Sequence, residues 1–403
     1  MKKFYYLILA GLLAGCTPED KEPEPVYVEN NPQAVSDGTR SNFVPLEDAL
    51  KSADSLFSKL YGLTRSERKP VSTEIYGIQS RSDEDSMYGF YFVNYDNGFA
   101  ILSADNRRDS VYAISNEGSV SISDTTYNRG LKWYVENELN PALSNAASVP
   151  VTPPITIDPG YPMFTYEETI SVPLLSGMLR TMHQWAPYNK YTKTISGESA
   201  PVGCVPLAVG TIFAYQKWPT SLENINLNWS EMLSNIYDDR WAQLFYLLGD
   251  YKYLRVNYGV NGSGTSESYI VSTFTKCGYS DAKIADYSRD INNSELTDSR
   301  PMIALGQSSN GGHAWVIDGA YNVTTRSYQY PSYEGDPDAG WTSSIKDYLH
   351  MIWGGGTVGN GFYLVDNCTR SVNPTAEKLD NYALQGNFGY SNLRVVYGYK
   401  PKK

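Results

Sequence analysis

Apolar residues early in the chain recur three and four positions apart, which is the spacing of one face of an amphipathic helix. The set is Leu46, Ala49, Leu50, Ala53, Leu56, Phe57 and Leu60. Two aromatic-rich runs, 88–95 and 99–103, then flank an Asn-Gly pair, which favours a β-hairpin. A second helical stretch covers about 131–139 and is followed by Pro141. These patterns predict a small α+β region over residues 42–147.

Prolines interrupt all periodicity between residues 148 and 164. The segments Val149-Pro150-Val151-Thr152-Pro153-Pro154 and Asp158-Pro159-Gly160 leave no room for a regular helix or strand. Proline also biases the residue before it toward extended backbone. We therefore predict a Pro-rich linker over 148–164, with a second globular region at 165–403. Exposed linkers of this kind are where proteases cut.

The N-terminus has the features of an export signal. Met1-Lys2-Lys3 is positive, and the apolar run that follows is much shorter than the roughly 20 residues that span a bilayer. The run ends in Leu12-Leu13-Ala14-Gly15-Cys16, which resembles a bacterial lipobox. We predict a signal peptide at 1–15, lipidation of Cys16, and a flexible acidic tether at 16–41. An ordinary secretory signal with a chance Cys is the alternative.

Composition narrows the function classes for this chain of 403 residues. It has 44 acidic residues against 33 Lys and Arg, a net charge of -11, and no basic stripe, which argues against nucleic acid as a partner. The 34 Tyr and 33 Gly favour a β-rich extracytoplasmic protein. Only four Cys are present, too few for a disulfide scaffold. Cys277 and Cys368 either pair or remain buried thiols.

The first chemical candidate is a cysteine at the start of a helix. Val205, Ala208, Val209, Ile212 and Phe213 recur at helical spacing, and Pro206 is tolerated only in a first turn. Cys204 is therefore predicted at the helix N-terminus, where the helix dipole favours the thiolate. On this segment alone, a buried core cysteine is the better interpretation.

A nucleophilic cysteine needs a base, and His313 is the best placed of the three histidines. It lies between a glycine turn and a strand-like Trp315-Val316-Ile317, about a hundred residues after Cys204, in the chain order of papain-type sites. Gln184 lies upstream, and its amide can donate to an oxyanion alongside the Cys204 N–H. Trp353 precedes a glycine turn and can shield the pair from water. Taken singly, each of these residues fits an ordinary surface or core position.

Four segments occur together in a distinctive order. They are Gln184 with Pro187-Tyr188-Asn189, Gly203-Cys204-Val205, Gly311-Gly312-His313-Ala314-Trp315-Val316-Ile317-Asp318-Gly319, and Trp353-Gly354. The set resembles the streptopain-like cysteine proteases (peptidase family C10), secreted bacterial relatives of papain by fold. The resemblance runs from about residue 165 to the C-terminus, and residues 98–105 resemble that family's inhibitory pro-domain.

The resemblance implies an α+β, papain-like fold with a helical part that carries Cys204, packed on an antiparallel sheet that carries His313. It implies that Cys204 is the nucleophile, that His313 holds and returns its proton, that Gln184 completes the oxyanion hole, and that Trp353 covers the histidine. No metal or organic cofactor is implied. His183 and His350 match no role, and we interpret them as solvated or structural.

The resemblance also implies partners and a place of action. The substrates would be polypeptides, and region 42–147 would be an intramolecular inhibitor that is removed by cleavage within 148–164. We expect a monomer that is tethered to the bacterial cell envelope, at the outer membrane or cell surface, through lipid on Cys16, and released on maturation.

One position departs from the family pattern. The family usually has Asn immediately before this Trp, where it orients the imidazole, and Ile352 stands there instead. Asn360, Asp318 or a backbone carbonyl could replace it, or no group does. The sequence therefore leaves three functions: an endopeptidase zymogen, an impaired or inactive homologue that acts as a surface binding protein, and a glycan-binding or adhesion protein.

Overall fold

The computed structural model describes residues 43–77, 89–126, 128–146, 164–234, 237–259, 262–309, 311–329, 340–365, 369–370 and 393–402. The predicted signal peptide and tether, most of the predicted linker, and both Cys16 and Cys368 lie outside these residues. All described residues belong to one compact unit, Ala34–Lys403. Within the described ranges, the helices are all too short or too polar to cross a membrane.

The described α-helices are α1 (Leu46–Tyr61), α2 (Arg129–Tyr134), α3 (Asn140–Ala146), α4 (Cys204–Gln216), α5 (Trp229–Met232), α6 (Arg240–Gly249), α7 (Ser268–Lys276) and α8 (Arg289–Thr297). A π-helical turn, Val135–Leu139, joins α2 to α3, and 3-10 turns occupy Arg65–Glu67, Ile122–Thr126 and Gly177–Arg180. The first predicted helix is confirmed as α1.

The second predicted helix is longer at both ends than its apolar pattern indicated. It starts earlier because the Asn128 side chain accepts hydrogen bonds from the N–H groups of Gly130 and Leu131, at 3.1 and 3.0 Å, and so caps α2. It continues past Pro141, which lies in the first turn of α3, where the missing N–H is tolerated.

The strands are β1 (Pro70–Tyr76), β2 (Phe90–Tyr95), β3 (Phe99–Ser103), β4 (Val111–Ser115), β5 (Phe164–Ser171), β6 (Thr194–Ile195), β7 (Glu198–Ser199), β8 (Ser221–Leu222), β9 (Ile225–Asn226), β10 (Tyr279–Ser280), β11 (Lys283–Asp286), β12 (Met302–Ser308), β13 (Gly311–Gln329), β14 (Gly340–Ile352), β15 (Gly361–Leu364), β16 (Thr369–Arg370), β17 (Leu393–Tyr397) and β18 (Lys400–Pro401). The predicted hairpin is confirmed as β2–β3.

One antiparallel sheet dominates the architecture. Its order is β1-β2-β3-β4-β15-β14-β13-β12-β17-β11, and β5 and β16 pair with β13 and β14. Strand β4 joins β15 through the pairs Ala113–Tyr363 and Ile114–Phe362, so the sheet runs through both predicted globular regions. The last long strand of the chain, β17, contributes the buried residues Leu393, Val395 and Val396 and inserts between β12 and β11.

Side chains along β13 alternate between two hydrophobic cores, as strand geometry requires. Trp315 and Ile317 join the core formed with α1, α2 and β2–β4. Ala314 and Val316 join the opposite core, formed with α4, α6 and α7. The result is a helical layer that carries Cys204, packed on a sheet that carries His313, as the resemblance implied.

Truncation of a central aromatic residue tests the helical core. Phe213 on α4 is fully buried, stacks on Tyr279 at 5.2 Å between ring centroids, and meets Phe274 edge-on at 5.5 Å. We expect Phe213→Ala to lower the free energy of unfolding by about 3–5 kcal/mol, as measured by denaturant unfolding. Tyr246→Ala, at a half-exposed site on α6, is the control and should have little effect. Equal losses in the two variants would contradict this assignment of the core.

Candidate active site

Cys204 is the first residue of α4, as the sequence predicted. The preceding Gly203 has φ of +98°, a conformation that favours glycine, and a Cβ there would lie 3.1 Å from the Ser263 carbonyl oxygen. Every residue of α4 from 205 to 214 is buried, so the helix is firmly seated in its core. The thiol is therefore held at a rigid helix N-terminus.

The Cys204 thiol lies beside the start of β13. It lines a small cavity together with Leu207, Ala314 and Ile352. Burial is the main cause that raises the pKa of this thiol. A hydrogen bond from the Ala314 N–H and the positive charge of Arg129 act in the opposite direction. Although part of the residue remains accessible, burial prevails, and the thiol is neutral in this form of the chain.

His313 is the third residue of β13 and is 5% exposed. Its Nε2 lies 3.0 Å from the carbonyl oxygen of Trp353. A carbonyl only accepts hydrogen bonds, so Nε2 carries the proton and Nδ1 is left with a lone pair. Within the described residues, this buried Nδ1 has no hydrogen-bond partner. The imidazole is thus poised to accept a proton at Nδ1.

Burial lowers the pKa of His313 to about 4. The Trp353 carbonyl favours the protonated ring and opposes that effect, while the positive charge of Arg129 lowers the pKa further. The ring is therefore neutral at neutral pH. Because Ala314, the residue after His313, donates to the Cys204 sulfur, the structure brings the two predicted residues to adjoining positions.

Gln184 is placed beside Cys204 through the backbone. Its carbonyl oxygen accepts a hydrogen bond from the Val202 N–H at 2.8 Å, two residues before Cys204. The neighbouring Asn189 amide donates to the carbonyl oxygens of Ser199 and Ala200, at 3.0 and 3.3 Å, and closes the loop that leads to α4. The backbone of the half-buried Gln184 is therefore held to the segment that leads into Cys204.

The aromatic ring that packs against His313 is that of Trp315, whereas the sequence led us to expect that of Trp353. Among the described residues, the ring contact to His313 comes from Trp315, at 6.0 Å between centroids and 18° between planes. Trp353 packs behind Trp315 at 5.0 Å, and its indole N–H donates to the Gly359 carbonyl oxygen at 2.9 Å. Within the part of the chain that the structure describes, Trp353 contacts His313 through its backbone carbonyl.

Ile352 is a buried core residue that pairs with Val316 across β13 and β14. Its side chain belongs to the core on the α4 face of the sheet. Of the three groups that the sequence left as replacements for the orienting Asn, the backbone carbonyl is the one that contacts His313. Asn360 bonds to the Trp353 N–H at 3.1 Å instead, and so acts on the residue that bears this carbonyl.

Asp318 is engaged elsewhere, in a fully buried pair with His350. The distance between Asp318 Oδ1 and His350 Nδ1 is 2.6 Å, and Oδ2 accepts from the Leu175 N–H at 2.8 Å. His350 is therefore structural. The half-buried His183 accepts at Nδ1 from the Trp185 N–H at 3.3 Å, so it too has a local structural role.

Sequence reasoning missed the residues of region 42–147 that contact this site. Trp133 packs against Trp315 with 4.9 Å between centroids and 44° between the ring planes, and a Cβ on Gly130 would lie 2.1 Å from the Trp353 ring. The Glu136 carboxylate accepts from the Ser309 N–H and hydroxyl at 2.7 and 2.6 Å, near the start of β13. The Asn128 cap is a sequence signal that could have located the start of α2. The contacts of α2 with Trp315 and Trp353 have no local sequence signal.

Known proteins resemble the chain over most of its length. Residues 182–363 match the profile of the Peptidase C10 family. Streptopain of Streptococcus pyogenes is 23% identical over 363 residues, which cover 75% of this chain and 78% of streptopain. The thiol protease/hemagglutinin PrtT of Porphyromonas gingivalis is 24% identical over 79% of this chain and 37% of its own length. The solved structure of a prointerpain A fragment from Prevotella intermedia matches with a TM-score of 0.52 and 20% identity, and covers 82% of this chain and 100% of the fragment.

These findings confirm the resemblance that the motifs indicated. The matched segment, 182–363, contains all four predicted site residues: Gln184, Cys204, His313 and Trp353. The likeness to prointerpain A confirms the α+β fold class. Residues 182–363 thus match the Peptidase C10 family, and the chain is similar to streptopain and shares the α+β fold of prointerpain A.

Proposed function

We propose that this chain is the zymogen of an endopeptidase in which Cys204 is the nucleophile and His313 is the general acid and base. The observation that carries this assignment is the His313 ring, whose Nε2 is held by the Trp353 carbonyl while Nδ1 has no partner among the described residues. The thiol at the N-terminus of α4 accepts a hydrogen bond from the N–H of Ala314, the residue after His313. Such a pair is the minimum machinery of thiol-based acyl transfer.

The reaction has two steps in this arrangement. The Cys204 proton moves to His313 Nδ1, and the thiolate attacks the carbonyl carbon of a peptide bond. The tetrahedral intermediate collapses when the imidazolium gives its proton to the leaving amine, which leaves a thioester on Cys204. Water then attacks the thioester with His313 as base, and the carboxylic acid leaves as the thiol is restored.

Gln184 and the Cys204 N–H would stabilise the oxyanion of each tetrahedral intermediate. The Gln184 backbone is bonded to Val202, so its side-chain amide is offered from a fixed segment next to the nucleophile. Donors of this kind contribute about 10²–10³ in kcat when they are held in place beforehand. Trp353, packed behind Trp315, would limit access of water to the His313 ring.

Region 42–147 would be the intramolecular inhibitor. Its helix α2 places Gly130 and Trp133 against the two indoles beside His313, where a polypeptide substrate would have to pass. With this helix docked, the thiol is neutral and burial lowers the pKa of His313 to about 4, so the active ion pair is suppressed. Cleavage within 148–164 would release the helix and permit the pair to form.

The export of the zymogen would follow from its N-terminus. The lipobox-like Leu12-Leu13-Ala14-Gly15-Cys16 supports a lipid anchor on Cys16 and a place at the bacterial outer membrane or cell surface. Because the anchor precedes the predicted linker, maturation would free a monomeric enzyme from its tether. Polypeptides would be its substrates.

A second function is favoured by Ile352. This buried side chain has no hydrogen-bonding group at the position where the family usually has its orienting Asn. A homologue without catalysis that binds polypeptides in its cleft would tolerate that change. The first experiment below separates it from the enzyme.

The first experiment is incubation of purified residues 17–403 as wild type and as Cys204→Ala, followed by intact-mass measurement. We expect the wild type to cut itself within 148–164 and Cys204→Ala to remain whole, because only the wild type has the nucleophile. Cys277→Ala is the matched control: this second cysteine is buried, and burial raises the pKa of its thiol to about 12, so the variant should still cut itself.

If the wild type does not cut itself, labelling of the thiol decides whether Cys204 is a nucleophile. If the wild type stays whole, and iodoacetamide leaves Cys204 unmodified after the linker is cut by an added protease, the catalytic assignment is wrong. The inactive homologue would then be the better description.

Removal of the Arg129 charge should raise the pKa of His313. We expect Arg129→Gln, in the Cys204→Ala chain, to shift the His313 titration upward from about 4, because this charge disfavours the imidazolium. Proton NMR of the histidine rings measures the shift directly, since the chain has only three His. Lys132→Gln removes a like charge from the same helix and should leave the titration unchanged. A wild-type His313 that titrates near 6.5, the ordinary value, would overturn the burial argument.

Replacement of Cys16 tests the lipid anchor. We expect Cys16→Ser, expressed in a bacterium with its signal, to lose labelling by radioactive palmitate and to leave the membrane fraction, because serine cannot form the thioether. Cys277→Ser should remain labelled. Wild-type protein without label would show that the signal is an ordinary secretory one.

A further inference from the structure

Asn360 has a saturated set of hydrogen bonds at the edge of the candidate site. Its side chain is fully buried, and its Oδ1 accepts from the Trp353 N–H at 3.1 Å. Its Nδ2 donates to the carbonyl oxygens of Arg180 and Gly356, both at 2.9 Å. One amide thus ties the segment after β14 to the 3-10 turn that ends at Arg180. All three bonds go to backbone groups, so the side chain acts as a clamp.

The segment held by this clamp lacks the support of the sheet. The last ladder pair between β13 and β14 is Val316–Ile352, so Trp353 lies just beyond the strand. Gly354 and Gly356 follow, each with φ of +76°. Because glycine has no Cβ, the backbone here can adopt many conformations. Without Asn360, the ladder would specify the position of Ile352 but not the orientation of the Trp353 peptide groups.

The Trp353 carbonyl is the group that fixes His313. It belongs to the same residue as the N–H that Asn360 binds, and its bond to Nε2 selects the tautomer in which Nδ1 has the lone pair. Rotation of this carbonyl by a few tens of degrees would break the bond, and the imidazole would lose both its tautomer and its direction. The orientation of the ring therefore depends on the clamp.

We infer that Asn360 is a positioning residue for His313, acting through the backbone of Trp353, and that it supplies the orientation which the side chain at 352 cannot give. The inference rests on the proposed roles of Cys204 and His313. An uncharged amide is required, because the site needs one acceptor and two donors at once. A carboxylate of the same shape would meet the carbonyl oxygens of Arg180 and Gly356 without a proton to offer.

The direct test is the tautomer of His313, measured by ¹⁵N NMR of the ring in the Cys204→Ala chain at neutral pH. We expect the Nε2–H tautomer to predominate with Asn360 present. In Asn360→Ala and in Asn360→Asp, we expect the two nitrogen shifts to move toward each other as both tautomers become populated. Asn360→Asp preserves the shape of the side chain and guards against loss of folding through a cavity. A tautomer that is unchanged in both variants would overturn the inference.

Asn322→Ala is the matched control. Asn322 is also buried and lies on β13, the strand of His313, but its amide bonds to Asn293 at 3.2 Å, far along the strand. We expect this variant to lose stability without any change in the His313 tautomer. If it changes the tautomer as much as Asn360→Ala does, the effect is general loosening of the sheet, and the role of Asn360 is not specific.

Kinetics of the matured enzyme give the second readout. We expect Asn360→Ala to lower kcat about 10- to 100-fold, because a misdirected base transfers protons poorly, while KM changes by less than about threefold. Asn322→Ala should retain both constants. Equal kcat in wild type and Asn360→Ala would contradict the inference. If the wild type itself shows no activity, the proposed function fails, whereas the tautomer measurement still decides the role of Asn360.

Discussion

The beginning of β13 is hydrogen-bonded to β12 and lies just before the end of the β14 ladder, and the position of the candidate-site groups on this strand depends on these two pairings. On one edge, Gly306 pairs with His313, and on the other, the ladder with β14 ends at Val316–Ile352. The alternation of side chains along a strand then directs His313 and Trp315 to one face and Ala314 to the other. A slip of one residue in either ladder would turn the imidazole to the wrong side of the sheet.

The register of β13 also determines which aromatic residues contact α2. These contacts would serve both the stability of the fold and the proposed inhibition. Trp133, Trp315 and Trp353 form one cluster of tilted indoles, in which Trp133 comes from region 42–147 and the other two flank His313. Gly306 makes the cluster possible, because a Cβ there would lie 2.5 Å from the Trp133 indole nitrogen. Departure of α2 would expose the faces of Trp315 and Trp353. The aromatic surface that binds α2 is thus also the surface that a substrate would meet under the proposed function.

Local chemistry made much of this site predictable. The apolar spacing after Cys204, with proline two positions later, sufficed to place the thiol at a helix N-terminus, and the glycines before His313 indicated a strand start. The contacts of Asn360, Arg129 and Trp133 were beyond reach, because they join segments that are distant in the chain. The β17 strand also escaped prediction, since its pairing with β12 and β11 is visible only in the folded sheet. The predicted boundary at 148–164 stays a prediction, as the described sheet crosses between the two regions.

The protonation states of Cys204 and His313 indicate how docking of α2 would prevent formation of the active ion pair. Burial is the main cause for both groups: it raises the pKa of the Cys204 thiol and lowers that of His313 to about 4. Proton transfer from sulfur to nitrogen is therefore uphill while the helix is docked. The Arg129 charge favours the thiolate but disfavours the imidazolium. Because these two effects on the ion pair oppose each other, the Arg129 charge cannot be the main cause that prevents the pair from forming. Entry of water after the helix departs moves both pKa values toward each other, because it lowers the cost of each charge. Under the proposed mechanism, exclusion of water would outweigh the Arg129 charge as a cause of inhibition, and cleavage and release of the helix would reverse it.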